Sequence, residues 1–411
     1  MVTCTMATGL QHTDAKNWLL PDGVVDILFK DAQKLESLRD ALLFVLTAHG
    51  YRLVSPPIIE YTETLLGGAD EDLKRQTFKI VDQLTGRLMG LRADITPQIT
   101  RIDAQHGQGV SRYCYVGQVI KTLPNGLFGL RTPLQLGAEI FGVDGVNAEI
   151  ALIDLLVALT DEIGMSRGNL HIDVGQVAIF DSLCRLHGVD APIGQTLMTL
   201  YTKKDLPQLA EFCSSIDGGA DFLTLAKYTL AQDATPDANN LLKKLSKKAQ
   251  SSQVIIDAAC EIATLSTYIK RLGMSVSVDI TELSGYHYHT GLVFNVYLNQ
   301  SSVAQTQALV RGGRFYASPE RQATGFSMDI NRLLEFVELQ EDTIIIVDYD
   351  DVCRMNDEQG EDLARQIKTL QDEGCIVIKP LSAKDRPASI DGVLHLDDGV
   401  WSVRLVGDDE D

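Results

Sequence analysis

The stretch LSGYHYHTG sets Tyr286, His287, Tyr288 and His289 in a row between two glycines, the densest run of chemically capable side chains in the sequence. On a strand, successive side chains alternate, so His287 and His289 share one face and the two tyrosines the other. Two imidazoles on one face could chelate a metal, but no third Cys or His ligand lies nearby. Two half-buried, hydrogen-bonded imidazoles are the simpler reading, so no metal is expected. No G-x-x-x-x-G-K-[ST] loop occurs, nor a G-x-G-x-x-G after a strand, so neither standard nucleotide cradle is present and no cofactor is expected. A G-x-S-x-G elbow, an H-E-x-x-H helix and a calcium loop are likewise missing.

The elements that must position these residues follow from periodicity and turn chemistry. Leu35, Leu38, Leu42, Val45, Leu46 and His49 recur at helical spacing before Gly50, a helix stop. YRLVSPPIIEYTETLL reads as a strand broken at Pro56-Pro57, and FKIVDQ with RLMGLRAD as a hairpin around Leu84-Thr85-Gly86. RYCYVGQVIK and PLQLGAEIFG are two further strands, and residues 149–163 an apolar helix. Residues 177–272 carry a polar, Lys-dotted helical pattern that reads as an inserted module and a structural spacer. SVSVDITEL, GLVFNVYL and ALVRGG return to strand character, and TGFSMDINRLLEFVEL reads as a strand running into a helix. Beyond Glu341 come strand, helix, strand and a short hairpin. Strands in runs with helices around them argue an α+β class for the first 340 residues. The expected organisation is a tail over 1–18, a core over 19–340 with its helical insertion, and a small acidic α/β domain over 341–411.

Composition bounds the function. The chain has 411 residues, 45% apolar and 22% charged, enough for two or three domains with a large core. No run of about 18 apolar residues suggests a membrane span. The opening MVTCTMATGLQHTDAKNW lacks the basic start and apolar centre of a secretory signal. Seven widely spaced cysteines without a C-x-x-C pair argue against a disulfide framework and for the reducing cytoplasm. The net charge is −20, of which the last 71 residues, with 19 acids and 7 bases, supply −12. Nucleic-acid affinity rests on Lys and Arg neutralising phosphates, so this acidic end is a poor RNA binder and no nucleic-acid partner is expected.

Six segments, in order, give the chain a resemblance to class II aminoacyl-tRNA synthetases, and specifically to the histidyl-tRNA synthetase group, over about residues 20–337. LPDGVVDILFKDAQKLESLRDALLFVLTAHGYRLVSPPIIE is similar to that family's opening segment and first class II motif, with Pro57 at the place of its dimer-interface proline. LRADITPQITR resembles the R-P-E-G-T segment, with Asp94 for the glutamate and Thr96 for the threonine. PLQLGAEIFG resembles H-Q-x-G-x-E-x-F-G, keeping Gln135, Gly137 and Glu139. LSGYHYHTGLVF is similar to R-G-L-D-Y-Y-x-x-T-V-F, VRGGRFY to A-G-G-R-Y-D, and GFSMDINRLL to the third motif, G-F-x-M-G-x-E-R-L. The resemblance implies an antiparallel sheet flanked by helices, and dimerisation through the core.

The departures decide what such a chain does. Ser284 stands where the family's arginine stabilises charge developing on phosphate and carboxylate, a loss worth about 10²–10³ in rate. The second motif's F-R-x-E becomes Ile120-Lys121-Thr122-Leu123: Lys121 lacks the planar two-donor fork and Leu123 any polar group. In the third motif Asp329 replaces a glycine near ATP, and Asn331 the glutamate. The amino-acid side retains its residue types. The resemblance implies that Asp94, Thr96 and Gln135 meet a ligand ammonium, and that Glu139 with the Tyr288–His289 strand meets an imidazole. Strand register decides which of those two faces the pocket.

A synthetase-like core with broken activation motifs, a kept amino-acid pocket and a short acidic tail resembles the regulatory subunits of ATP phosphoribosyltransferase. That resemblance implies a non-catalytic chain paired with a short-form catalytic subunit, commonly in a hetero-octamer, at the first step of histidine biosynthesis. It implies histidine as the allosteric ligand. The alternatives are a stand-alone histidine sensor and a working histidyl-tRNA synthetase, which would exchange pyrophosphate with ATP.

Overall fold

The periodic leucines fall on the helix Phe29–Ala48, where Leu35, Leu38, Leu42, Val45 and Leu46 are all buried, each worth ~1.5–3 kcal/mol. Gly50, at φ +81°, then reverses the chain in a backbone region that favours glycine. The computed structural model describes residues 19–68, 71–124, 129–230, 238–283, 288–298, 308–337 and 342–406. Two compact units divide between residues 337 and 338.

The first unit is built on an eight-stranded sheet. Its spatial order is Arg52–Leu53, Ser111–Gln118, Leu134–Phe141, Arg321–Asp329, Val310–Ser318, His289–Leu298, Leu170–Gln176 and Ser275–Val278. The six central strands pair antiparallel, and a short parallel strand closes each edge. The break at Pro56-Pro57 sends the chain from Arg52–Leu53 into a separate three-stranded sheet of Ile59–Tyr61, Leu88–Leu91 and Phe78–Val81. There the hairpin around Leu84-Thr85-Gly86 pairs antiparallel.

Alternation along the central strands gives the sheet two different faces. Leu136, Ala138 and Ile140 enter the main core with the helices Phe29–Ala48, Asn147–Glu162, Val177–His187 and Gln253–Arg271. Tyr113, Tyr115, Phe141, Phe315 and Ala323 point the other way, into a smaller core closed by Ile95 and Ile99 at the start of the helix Thr96–His106.

Three readings of the sequence change. The helical region does not act as a spacer: its first and last helices pack on the sheet, and Leu197, Leu209, Phe222 and Ile262 belong to the main core. SVSVDITEL is a strand only over Ser275–Val278, because the Asp279 carboxylate captures the Thr281 N–H at 3.0 Å and its hydroxyl at 2.7 Å, forming a turn. TGFSMDINRLLEFVEL runs from the strand Arg321–Asp329 into a single 3₁₀ turn, Ile330–Leu333, where Asp329 accepts from Asn331 N–H at 3.0 Å.

The second unit is a four-stranded sheet in the order Ile376–Ile378, Ile344–Val347, Gly392–Asp397, Val400–Leu405. Its helix Asp357–Asp372 opens with a reciprocal cap between Asn356 and Gln359. A short helix, Tyr349–Arg354, was not evident from the sequence pattern. Ile345, Val347, Leu363, Leu394 and Trp401 form its core. Among the described residues, no helix is long and apolar enough to cross a membrane.

Candidate functional site

Register sorts the open face of the sheet into rows. Asp329 sits opposite Gln135, and Ser327 opposite Gly137 with Tyr115 on its far side. Glu139 lies between Tyr113 and Gly325, and Phe141 opposite Ala323, which continues to Phe315 and His289. Glycines make the space these rows need. A Cβ on Gly137 would overlap the Tyr115 phenol, one on Gly325 the Glu139 carboxylate, and one on Gly313 would lie 2.8 Å from His289 Nδ1.

Asp94 and Thr96 reach this face from the loop that opens the helix Thr96–His106, which has Pro97 in its first turn. Asp94 Oδ1 accepts the Thr96 N–H at 2.9 Å and the Gln135 amide at 3.3 Å, while Gln135 Oε1 accepts the Ile95 N–H at 3.0 Å. These bonds tie loop and strand together. The Thr96 hydroxyl donates to Glu139 Oε1 at 3.0 Å and lies 3.1 Å from the Tyr115 hydroxyl, itself 3.5 Å from the same carboxylate oxygen.

Glu139 is 1% exposed, and its second oxygen, Oε2, is buried without a hydrogen-bond partner. Burial pushes its carboxyl well above the ordinary range; the Thr96 hydrogen bond opposes this and the Asp94 charge adds to it. Tyr115 is likewise held well above the usual phenol range, first by burial and then by Glu139 and Asp94. Tyr288 stacks on Phe315 with ring centroids 4.6 Å apart and its hydroxyl buried. Burial and then the charges of Glu139 and Asp94 raise its phenol as well.

The structure therefore brings Asp94, Thr96, Gln135, Glu139 and Tyr288 together. His289 stands one step away, against Gly313 and edge-on to Tyr288 at 5.2 Å. Ser284 and His287 lie outside the described residues. Of the altered activation positions, Asp329 stands opposite Gln135 on the open face and its charge acts on Lys121, whereas Leu123 is 64% exposed. Asp329 is pushed up to about 6 by burial. Asn331 is turned to a structural task, accepting the Leu134 N–H at 2.7 Å.

Tyr115 was missed as a site residue. The signal was available: aligning RYCYVGQ against QLGAEIF puts its ring beside Gly137 and one step from Glu139. Chemically, the constellation offers Asp94 to an ammonium. It offers Glu139 Oε2 to a group that can either donate or accept a hydrogen bond, depending on which form of the carboxyl is present. Among the described residues no cluster of three or more His, Cys, Asp or Glu is placed to hold a metal ion.

Residues 23–333 match the family model described as histidyl-tRNA synthetase. The chain is 50% identical over 398 residues to the ATP phosphoribosyltransferase regulatory subunit of Psychrobacter cryohalolentis, a match covering 94% of this chain and 100% of that protein. In fold it is similar to an ATP phosphoribosyltransferase regulatory subunit/histidyl-tRNA synthetase from Bacillus halodurans, with a TM-score of 0.76 at 20% identity, over 93% of this chain and 99% of that one. A chain of the ATP phosphoribosyl transferase (HisG:HisZ) complex from Thermotoga maritima aligns with a TM-score of 0.54 at 17% identity, over 73% and 97%.

Proposed function

The chain belongs to the family of ATP phosphoribosyltransferase regulatory subunits, and from that premise we propose that it carries no catalysis of its own. It binds a separate short-form catalytic subunit in the cytoplasm, favours that subunit's active conformation, and returns inhibition by histidine to it. The catalytic subunit condenses ATP with phosphoribosyl pyrophosphate, and this chain contributes as a homodimer within a hetero-octamer.

Loss of adenylate chemistry is supported by the nucleotide side of the site. Leu123 offers no polar group and points to solvent, and Asp329 adds a carboxylate where triphosphate would lie. The purified chain should therefore not exchange pyrophosphate with ATP in the presence of histidine.

The observation that carries the histidine reading is the buried, unpartnered Oε2 of Glu139 beside Asp94, Thr96 and Gln135, which are tied to one another and to the loop by hydrogen bonds. An unsatisfied buried carboxyl oxygen costs about 1–3 kcal/mol, which an imidazole nitrogen would recover. Asp94 stands ready for the α-ammonium. Histidine binding then need only prefer the less active state of the complex by about 1–3 kcal/mol to give useful control.

The test is an assay of the reconstituted complex with the Glu139→Ala chain, each rate normalised to the same mixture without histidine. The histidine concentration for half inhibition should rise at least tenfold. An unchanged value would remove Glu139 from the pocket, and failure of the chain to co-purify with a short phosphoribosyltransferase would remove the partner.

A further inference from the structure

At the edge of the eight-stranded sheet, three basic side chains meet without an acid. Gly50, at φ +81°, turns the chain from the helix Phe29–Ala48 into the edge strand Arg52–Leu53, which pairs parallel with the start of Ser111–Gln118. Gly109, at φ +53°, turns the chain from the end of the helix Thr96–His106 into that same neighbouring strand. Between the two turns lies a cleft of about 360 Å³ that holds Arg52, His106 and Arg112 together with Gln108 and Ser111. Thr96 begins the helix that His106 ends, and its 11 residues span about 16 Å, so the cleft is distinct from the amino-acid pocket.

Register sets the two guanidiniums on opposite faces of the sheet edge. Arg52 is the cross-strand partner of Tyr113 and lies over its ring, 4.8 Å from the centroid, on the open face. Arg112 is the partner of Ile140, a residue of the main core, so it leaves the strand on the helix side. No ion pair among the described residues includes Arg52, His106 or Arg112. The only acid of the helix Thr96–His106, Asp103, is buried and already paired: Arg321 donates from Nε to Oδ2 at 2.5 Å and from Nη2 to Oδ1 at 2.9 Å. In a chain of net charge −20, three bases meeting without an acid do not reflect a generally basic surface. Like charges gathered in this way repel, and an anion among them replaces repulsion with attraction.

We propose that this cleft is a second ligand site, one that takes a small anion carrying a diphosphate group. Guanidinium forks match phosphoryl oxygens two at a time. Because the two forks reach the cleft from opposite sides of the sheet edge, a ligand that satisfies both needs charged oxygens at both ends. A diphosphate has them; a single phosphate does not. The Tyr113 ring holds Arg52 in place beforehand, which reduces the side-chain freedom lost on binding. His106 adds a ring N–H as a further donor. The diphosphate can arrive as the free anion or as the end of a nucleotide, and both present the same oxygens.

The test is calorimetry on the full chain, at physiological salt, with inorganic phosphate, pyrophosphate and ADP. Pyrophosphate should bind about tenfold or more tighter than phosphate, since it adds a second charge-assisted contact. Arg52→Gln and Arg112→Gln should each weaken pyrophosphate about 10–100-fold, the range of one lost charge-assisted hydrogen bond. Both side chains are exposed, so the melting temperature should not change. ADP binding tighter than pyrophosphate assigns the site to a nucleotide, and the reverse order assigns it to the free anion; both keep the site. Equal affinity for phosphate and pyrophosphate overturns the proposal, as does an affinity that the two variants leave unchanged. Displacement of pyrophosphate by histidine overturns it too, because the anion would then lie in the amino-acid pocket. So does a wild type that binds none of the three anions, and altered sedimentation of the double variant would then show that carboxylates of another protein surface fill the cleft.

Discussion

Gly325 faces Glu139 across the antiparallel pair Leu134–Phe141 and Arg321–Asp329, and a Cβ on it would overlap the Glu139 carboxylate. A hydrogen atom at that position is what lets the Glu139 carboxyl lie flat on the sheet under the ligand site. Gly325→Ala should displace the carboxylate and cost about 1–3 kcal/mol as an overpacked site. Calorimetry should show histidine binding at least tenfold weaker with a native circular dichroism spectrum. Binding at the wild-type affinity would mean that Glu139 moves aside freely and that the site is not held by this contact.

Glu139 also ties stability to pH. Its carboxyl titrates at 4.5 in the unfolded chain and well above that when folded, so the folded state holds the proton more tightly. That contribution is complete below about pH 4.5 and is lost as pH rises toward the folded value. Glutamine has no proton to lose. The melting temperature of Glu139→Gln relative to wild type should therefore increase between pH 5 and pH 8. A difference that stays flat, or runs the other way, would place the buried carboxyl in a better-solvated setting than its 1% exposure describes.

The sequence exposed the elements better than their ends. Leu35 to Leu46 specified a helix because five apolar residues at helical spacing have one way to be buried together. Asp279 and Asp329 ended elements early, because a side chain that captures a nearby backbone N–H competes with the ladder, and pattern counting does not see it. At the site, Asp94, Thr96, Gln135 and Glu139 were legible because their types survive in recognisable segments. Tyr115 was not, since its role depends on a cross-strand pairing with Gly137 that appears only when two strands are in register. The choice between Tyr288 and His289 was open for the same reason. A register shift between Gly313 and Phe315 leaves Tyr288 against Phe315 and His289 over Gly313.

Asp329 should behave as a destabilising carboxylate at neutral pH. Burial raises it from 3.8 to about 6, so its cost to folding sets in above pH 3.8 and is fully developed above pH 6. Asparagine can keep the hydrogen bond to the Asn331 N–H without the charge. Asp329→Asn should be more stable than wild type by about 1–3 kcal/mol at pH 7.5, with the gain fading by pH 4. Urea unfolding at the two pH values measures this. A variant less stable at pH 7.5 would show that the attraction of Lys121 and Arg332 outweighs desolvation.

On the helix side of the sheet, Arg314 links two helices through a buried ion triad. Its Nε donates to Glu149 Oε1 and its Nη1 to Glu261 Oε1, both at 2.8 Å, and Gln176 donates to the other Glu261 oxygen at 2.9 Å. Glu149 belongs to Asn147–Glu162 and Glu261 to Gln253–Arg271, the last helix of the inserted region, so the triad fastens that region to the sheet. Removing the arginine alone leaves the fully buried Glu149 carboxylate facing the partly buried Glu261 without a cation, which costs about 3–5 kcal/mol. Glu149 is already raised by burial despite its arginine, so without it the strain is relieved by protonation at low pH and grows as pH rises. Arg314→Met should therefore lose more stability at pH 8 than at pH 5. Replacing all three charges with apolar side chains of similar size should recover most of the loss, because the attraction and the desolvation cost leave together. If the triple replacement is as unstable as the single one, the contribution of Arg314 is its packing beneath Gly291, where a Cβ would come within 2.9 Å of its side chain, and not its charge.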